Sequence, residues 1–198
     1  MPKLFYIQIN DASEGMNAIS LVDAPAVEHN FLCFEKQTKM PLEFKDEAKH
    51  ILTGVVALAD TPIYRYNPQL GEYYVVFTKE TIQKMVEKYA KDDLFAKVNL
   101  QHDDERFVDG VYMFESYIVN KDRNIAPVEF ADIPDGSWIC SFKVEDDDLW
   151  NEIVNTDHFN GFSLQGVFEL DEKPAEVEQS KEQPEIDEII DEYLEDKK

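Results

Sequence analysis

The chain has 198 residues, 43% of them hydrophobic with 13 Phe and 9 Tyr, which suits one domain with a real core and a tail. Its net charge of −23 argues against a nucleic-acid backbone or an anionic membrane as partner, because both call for clustered Lys and Arg. Such a charge is compatible with basic partners, or with packing at high concentration without aggregation.

The opening MPKLFYIQIN has too short an apolar run for a signal peptide and no small-residue cleavage site. No run of about 18 apolar residues predicts a membrane span. KLFYIQI (3–9) reads as a strand, and ISLVDAPAVEHNFLCFE (19–35) as a strand, a turn at Asp23–Pro25 and another strand. Residues 36–50 are charged and read as a loop, and LTGVVALA (52–59) as a buried strand. Pro62, Pro68 and Gly71 punctuate a looser region before the strand EYYVVF (72–77). Cys33 and Cys140 lie far apart in apolar stretches and are expected as buried free thiols in a reducing cytoplasm.

The period then changes. Ile82, Met85, Val86, Tyr89 and Ala90 recur at helical spacing, with Thr78 as N-cap and Glu80 in the first turn. AKVNLQH (96–102) returns to strand, and FVDGVYMFESYIV (107–119) holds another; the polar DDERFVDG between them suits a hairpin. PDGSW (134–138) is a turn into the strand WICSFKV (138–144). DDDLWNEIVN (146–155) is a short helix with an acidic first turn, and GFSLQGVFEL (161–170) a last strand. Strands dominate and do not alternate regularly with helices. The expected class is α+β, a mostly antiparallel β-barrel over residues 1–171 with helices packed outside.

From residue 172 the composition shifts to acidic residues, and 172–183 reads as a flexible linker. After Pro184, Ile186, Ile189, Ile190, Tyr193 and Leu194 fall on one face of a short amphipathic helix that docks back on the domain or binds a partner groove. Residues 172–198 are thus a second region.

A serine becomes a nucleophile when a base takes its proton, and histidine is the usual base near neutral pH. Ser163 stands in NGFSLQG, and there are four histidines. His29 lies at an apolar strand edge, His50 in a charged loop and His158 in a turn, whereas His102 ends a strand at the mouth of the expected hairpin. Spacing alone does not bring His102 to Ser163. The stretches HDDE (102–105) and EDDD (145–148) lack the alternating ligands and central glycine of a Ca²⁺ loop, and no Cys/His cluster suits zinc; no metal is expected.

In order and spacing, several stretches resemble the phage prohead proteases, the capsid-maturation serine proteases, in their phage-like serine protease branch. The carriers, over about residues 17–170, are NAISLVDAPAVEHNFLCF, GVVALADTPIYRY, YYVVFTKETIQKMVEKY, VNLQHDD, GVYMFESYIV, PDGSWICSFKVEDDDLWNEI and FNGFSLQGVF. The family is similar to the herpesvirus assembly protease, so the resemblance implies a herpesvirus-protease-like barrel. It also implies a histidine base at His102 and a serine nucleophile at Ser163. G-x-S-x-G is absent because Gly166 comes one position late, which rules against an α/β-hydrolase and not against this family. For the third member, Glu115 in FESYIV ranks first through the expected hairpin, with Glu169 and Asp171 after the serine as alternatives. Gly161 and Gly166 are candidates for freeing backbone N–H groups toward an oxyanion, or are turn or bulge glycines.

The resemblance further implies a serine endopeptidase that needs no cofactor. It would act on scaffold protein, on the major capsid protein and on itself, inside a procapsid in the host cytoplasm. Self-association is a further expectation, by analogy with the herpesvirus enzymes. The rival is a catalytically inactive phage assembly or scaffold protein acting through its C-terminal tail, and a third reading is a domesticated prophage protein of unknown role. For the protease, the terminal Ile186–Leu194 segment, tethered by the acidic linker, is expected to recruit it into the assembling shell.

Overall fold

The computed structural model describes residues 3–9, 15–22, 42–46, 49–103, 105, 107–155 and 161–172. The second half of the 19–35 reading, Cys33, His29, His158 and the tail helix lie outside the described residues. In chain order the elements are β1 (Lys3–Gln8), β2 (Gly15–Val22), β3 (Leu42–Asp46), β4 (Ile51–Ala57), β5 (Ile63–Asn67) and β6 (Gly71–Val76). They continue with α1 (Lys79–Lys91), β7 (Val98–Leu100), β8 (Val111–Ile118), β9 (Trp138–Val144), α2 (Asp147–Asn155), β10 (Gly161–Val167) and β11 (Glu169–Asp171).

The fold is α+β and rich in sheet, as expected, but the described strands do not close into a barrel. They form three sheets, ordered β11-β1-β6-β5, β10-β2-β7 and β3-β4-β9-β8. Most pairings are antiparallel; β1 with β6 and β2 with β7 are parallel. A parallel pair cannot be joined by a tight turn, so each draws together segments far apart in sequence.

Three local readings are corrected. Leu42–Asp46 is a strand although its residues LEFKD are charged, because it pairs along β4 at a sheet edge. Ile63–Asn67 is also an edge strand, with the prolines just outside it, where no ladder donor is lost. The expected hairpin between 96–102 and 107–119 does not form. β7 joins β2, while β8 pairs with β9 in another sheet. What remains of the hairpin is an antiparallel bridge between Asn99 and Phe107 and a bond from Val108 N to Val98 O (3.0 Å).

The helices follow the reading closely. Thr78 caps α1, its hydroxyl accepting from Thr81 N at 3.1 Å. Ile82, Met85 and Tyr89 are buried on the inner face, and each fully buried side chain contributes about 1.5–3 kcal/mol. Thr81 Oγ1 donates to Ile7 O (2.9 Å), tying the helix start to β1. At α2, Asp146 Oδ1 accepts from Leu149 N at 2.7 Å, so EDDD serves as a helix start. β9 is buried along nearly its whole length because β4 and β8 flank it. Trp138 packs edge-on to Tyr89 and donates from Nε1 to Ser116 Oγ (2.9 Å). Cys140 is a free, buried thiol. No helix among the described residues is long and apolar enough to cross a membrane.

Candidate active site

The site lies on the three-stranded sheet. β2 is its centre, antiparallel to β10 and parallel to β7. The register sets Ser163 opposite Ser20, and Ser20 opposite Asn99. Directly paired residues share a face, so these three polar side chains form a row across the sheet. Gln165, two residues beyond Ser163, belongs to the same face by strand alternation. Ser20 and Asn99 are fully buried, and Ser163 is 7% exposed.

His102 folds back over this row. Gln101 and His102 both take left-handed backbone conformations, with φ of 55° and 58°. For side chains with a Cβ this costs roughly 1–2 kcal/mol per residue. Bonds from Gln101 N to Leu21 O (2.9 Å) and from Asp103 N to Leu100 O (3.0 Å) hold the turn. The result places one imidazole nitrogen on each serine. His102 Nε2 is 3.0 Å from Ser163 Oγ, and His102 Nδ1 is 3.0 Å from Ser20 Oγ.

The hydrogen-bond chain beneath the ring decides its tautomer. Asn99 Nδ2 donates to Gln165 Oε1 (2.5 Å), which leaves Asn99 Oδ1 to accept from Ser20 Oγ (2.5 Å). Ser20 Oγ also approaches Gln165 Oε1, at a longer 3.4 Å. A hydroxyl has one proton, and the shorter bond takes it. Ser20 Oγ can then only accept from His102, so Nδ1 carries the hydrogen. Nε2 is left with a bare lone pair facing the hydroxyl of Ser163. This is the arrangement in which an imidazole removes a serine proton.

Ser20 is the residue that sequence reasoning missed. In NAISLV it looks like any strand serine, and only the parallel pairing of β2 with β7 brings it under His102. Glu115 sits on β8, opposite Ser141 in register, and its Oε2 accepts from Ser141 Oγ at 2.6 Å. The missing hairpin is the reason: Glu115 went with β8 into the other sheet. Glu169 and Asp171 are exposed on β11, which runs beside β1. Gly161 begins β10 opposite Val22, and Gly166 stands at a register shift of the same strand, a bulge. Among the described residues no group of three or more His, Cys, Asp or Glu side chains is placed to hold a metal.

Beside the serine lies a cavity of about 300 Å³, lined in part by Ser163, Leu164 and Gly166 of β10. A serine hydroxyl poised against an imidazole is the core of a serine hydrolase site. Residues 39–172 match the family model described as "Putative phage serine protease XkdF", and the chain belongs to that family of phage serine proteases. No curated protein and no solved structure matches the chain.

Proposed function

We propose that the protein is a serine endopeptidase of phage head maturation, with Ser163 as nucleophile and His102 as general base. The observation that carries this reading is the 3.0 Å approach of His102 Nε2 to Ser163 Oγ, with Nδ1 engaged by Ser20. Ser163 Oγ attacks the scissile carbonyl while its proton passes to Nε2. The imidazolium then gives that proton to the leaving amine, and an acyl-enzyme remains. Water, deprotonated by the same imidazole, hydrolyses the ester and restores the serine. Ser20 orients the ring and accepts from Nδ1–H throughout. Backbone N–H groups around Gly161 and Gly166 are the candidates for receiving the oxyanion. The mechanism calls for no cofactor.

The substrates, by family, are scaffold and major capsid proteins and the chain itself, inside the procapsid. The net charge of −23 suits a partner surface that is basic. The test is incubation of wild type and Ser163→Ala with the scaffold and capsid proteins of the phage that encodes them. Defined new termini with wild type alone support the proposal. Intact proteins in both reactions overturn it and leave a non-enzymatic assembly role.

A further inference from the structure

We propose that Asn99 is a positioning residue that sets the direction of the proton chain under His102, and that Gln165 keeps its amide the right way round. This rests on the endopeptidase reading and deepens it: the Asn99 amide decides whether the imidazole is a base or a blocked donor. Ser20 Oγ lies between two groups, 2.5 Å from Asn99 Oδ1 and 3.0 Å from His102 Nδ1. It has one proton to give. With the amide oxygen turned to it, Ser20 gives that proton to Asn99 and accepts from Nδ1–H. With the amide turned over, an N–H of Asn99 would point at Ser20, whose own hydrogen would then go to Nδ1. Nε2 would carry the imidazole hydrogen and could take no proton from Ser163.

Two observations support the assignment. The first is the anchoring of Asn99. It is fully buried at the middle of β7, paired with Ser20 on one side and bridged to Phe107 on the other. With the backbone held on both sides, a half-turn of the amide is the movement that exchanges its donor for its acceptor. The second is Gln165. Its Oε1 accepts from Asn99 Nδ2 at 2.5 Å, and a turned amide would set two carbonyl oxygens against each other there. The same Oε1 lies 3.4 Å from Ser20 Oγ, so one oxygen faces both neighbours. Gln165 stands on β10 two residues from the nucleophile and on the same face. The strand that carries Ser163 thus also locks the residue that directs its base.

The position of the hydrogen on His102 is read from nitrogen NMR of the imidazole in isotope-labelled histidine, assigned against His102→Ala. Reactivity is read separately, from the plateau rate of labelling by a small alkyl fluorophosphonate above the acidic limb of the pH profile. In that reaction Ser163 Oγ attacks phosphorus, fluoride leaves, and the serine proton passes to His102 Nε2. Wild type and Gln165→Glu, whose carboxylate can only accept, are expected to hold the hydrogen on Nδ1 and to label within about threefold of each other. Gln165→Met strands Asn99 Nδ2. A buried N–H without an acceptor is tolerated less than an oxygen without a donor, so the amide turns over. The hydrogen moves to Nε2 and labelling slows about tenfold. Asn99→Asp added to Gln165→Met presents an oxygen whichever way it turns, so the hydrogen returns to Nδ1 and the rate recovers. A role in packing alone gives no such recovery. A wild-type imidazole with its hydrogen on Nε2, a Gln165→Met chain unchanged in both readouts, or no recovery in the double variant overturns the proposal. Should either Met-bearing chain fail to fold, the wild-type spectrum and Gln165→Glu decide, and a loss beyond about tenfold in Gln165→Glu overturns it. Absence of labelling in wild type overturns the protease reading, while the spectra still decide the proton chain.

Discussion

Ser141 on β9 and Ser163 on β10 are both strand serines, 1% and 7% exposed, and each is hydrogen-bonded to a side chain from a different strand or turn. Ser141 donates to Glu115 Oε2 at 2.6 Å and lies 2.9 Å from Thr53 Oγ1. Ser163 faces an imidazole whose other nitrogen is already engaged, and it borders a cavity. A carboxylate is too weak a base to take a serine proton at neutral pH, whereas a neutral imidazole is suited to it. Burial and a short hydrogen bond are thus common to both serines. The kind of partner separates them.

The largest effects should fall on the β10 side of this comparison. Ser163→Ala is expected to lower kcat/KM by about 10³-fold or more, and Ser141→Ala to leave it within about threefold. Peptide hydrolysis by the two variants, run side by side, checks this; comparable losses would erase the distinction. Next comes the residue under the imidazole. Ser20→Ala removes the acceptor at Nδ1 and unpins the tautomer, so kcat is expected to fall about 10- to 100-fold with KM nearly unchanged. The acidic limb of the pH–rate profile should shift as well, because the imidazolium loses a partner. Glu115→Gln should leave both kcat and the profile in place.

Smaller effects sharpen the inert side. Cys140 neighbours Ser141 on β9, and complete burial raises its thiol well above the ordinary value. It stays protonated near neutral pH, so in a Cys33→Ser chain maleimide should react only after unfolding. The sign for stability follows. At alkaline pH the unfolded chain loses this proton while the folded chain keeps it, so stability falls as pH rises past the ordinary thiol range. Denaturant midpoints from pH 7 to 9.5, compared with Cys140→Ala, isolate this contribution. The smallest effect is at Tyr89, whose buried hydroxyl has no hydrogen-bond partner among the described residues. Tyr89→Phe is expected to stabilise by about 1 kcal/mol, read from the denaturation midpoint, with activity unchanged.

Much of this was legible in the sequence, for reasons that differ along the chain. The helix over 79–91 declares itself through Ile82, Met85 and Tyr89, because a helix buries one face by local spacing. His102 and Ser163 could be singled out as chemistry-bearing residues at strand positions. Their meeting was not readable from spacing, since it depends on β2 lying between β7 and β10. Ser20 was invisible for the same reason: its bond to Asn99 joins residues 79 positions apart through a parallel pairing that leaves no local signal. Glu115 was misplaced because DDERFVDG has the composition of a hairpin loop, and composition does not say that the next strand pairs elsewhere. The left-handed pair Gln101–His102 was also hidden, since neither residue type advertises that conformation.

The most direct test of the account is site-mapped labelling by an alkyl fluorophosphonate in wild type, His102→Ala and Glu115→Gln. The account predicts a single adduct on Ser163, formed at the same rate in wild type and Glu115→Gln, and slowed by about 10³-fold in His102→Ala. Equal labelling with and without the imidazole, or loss of labelling in Glu115→Gln, would contradict it.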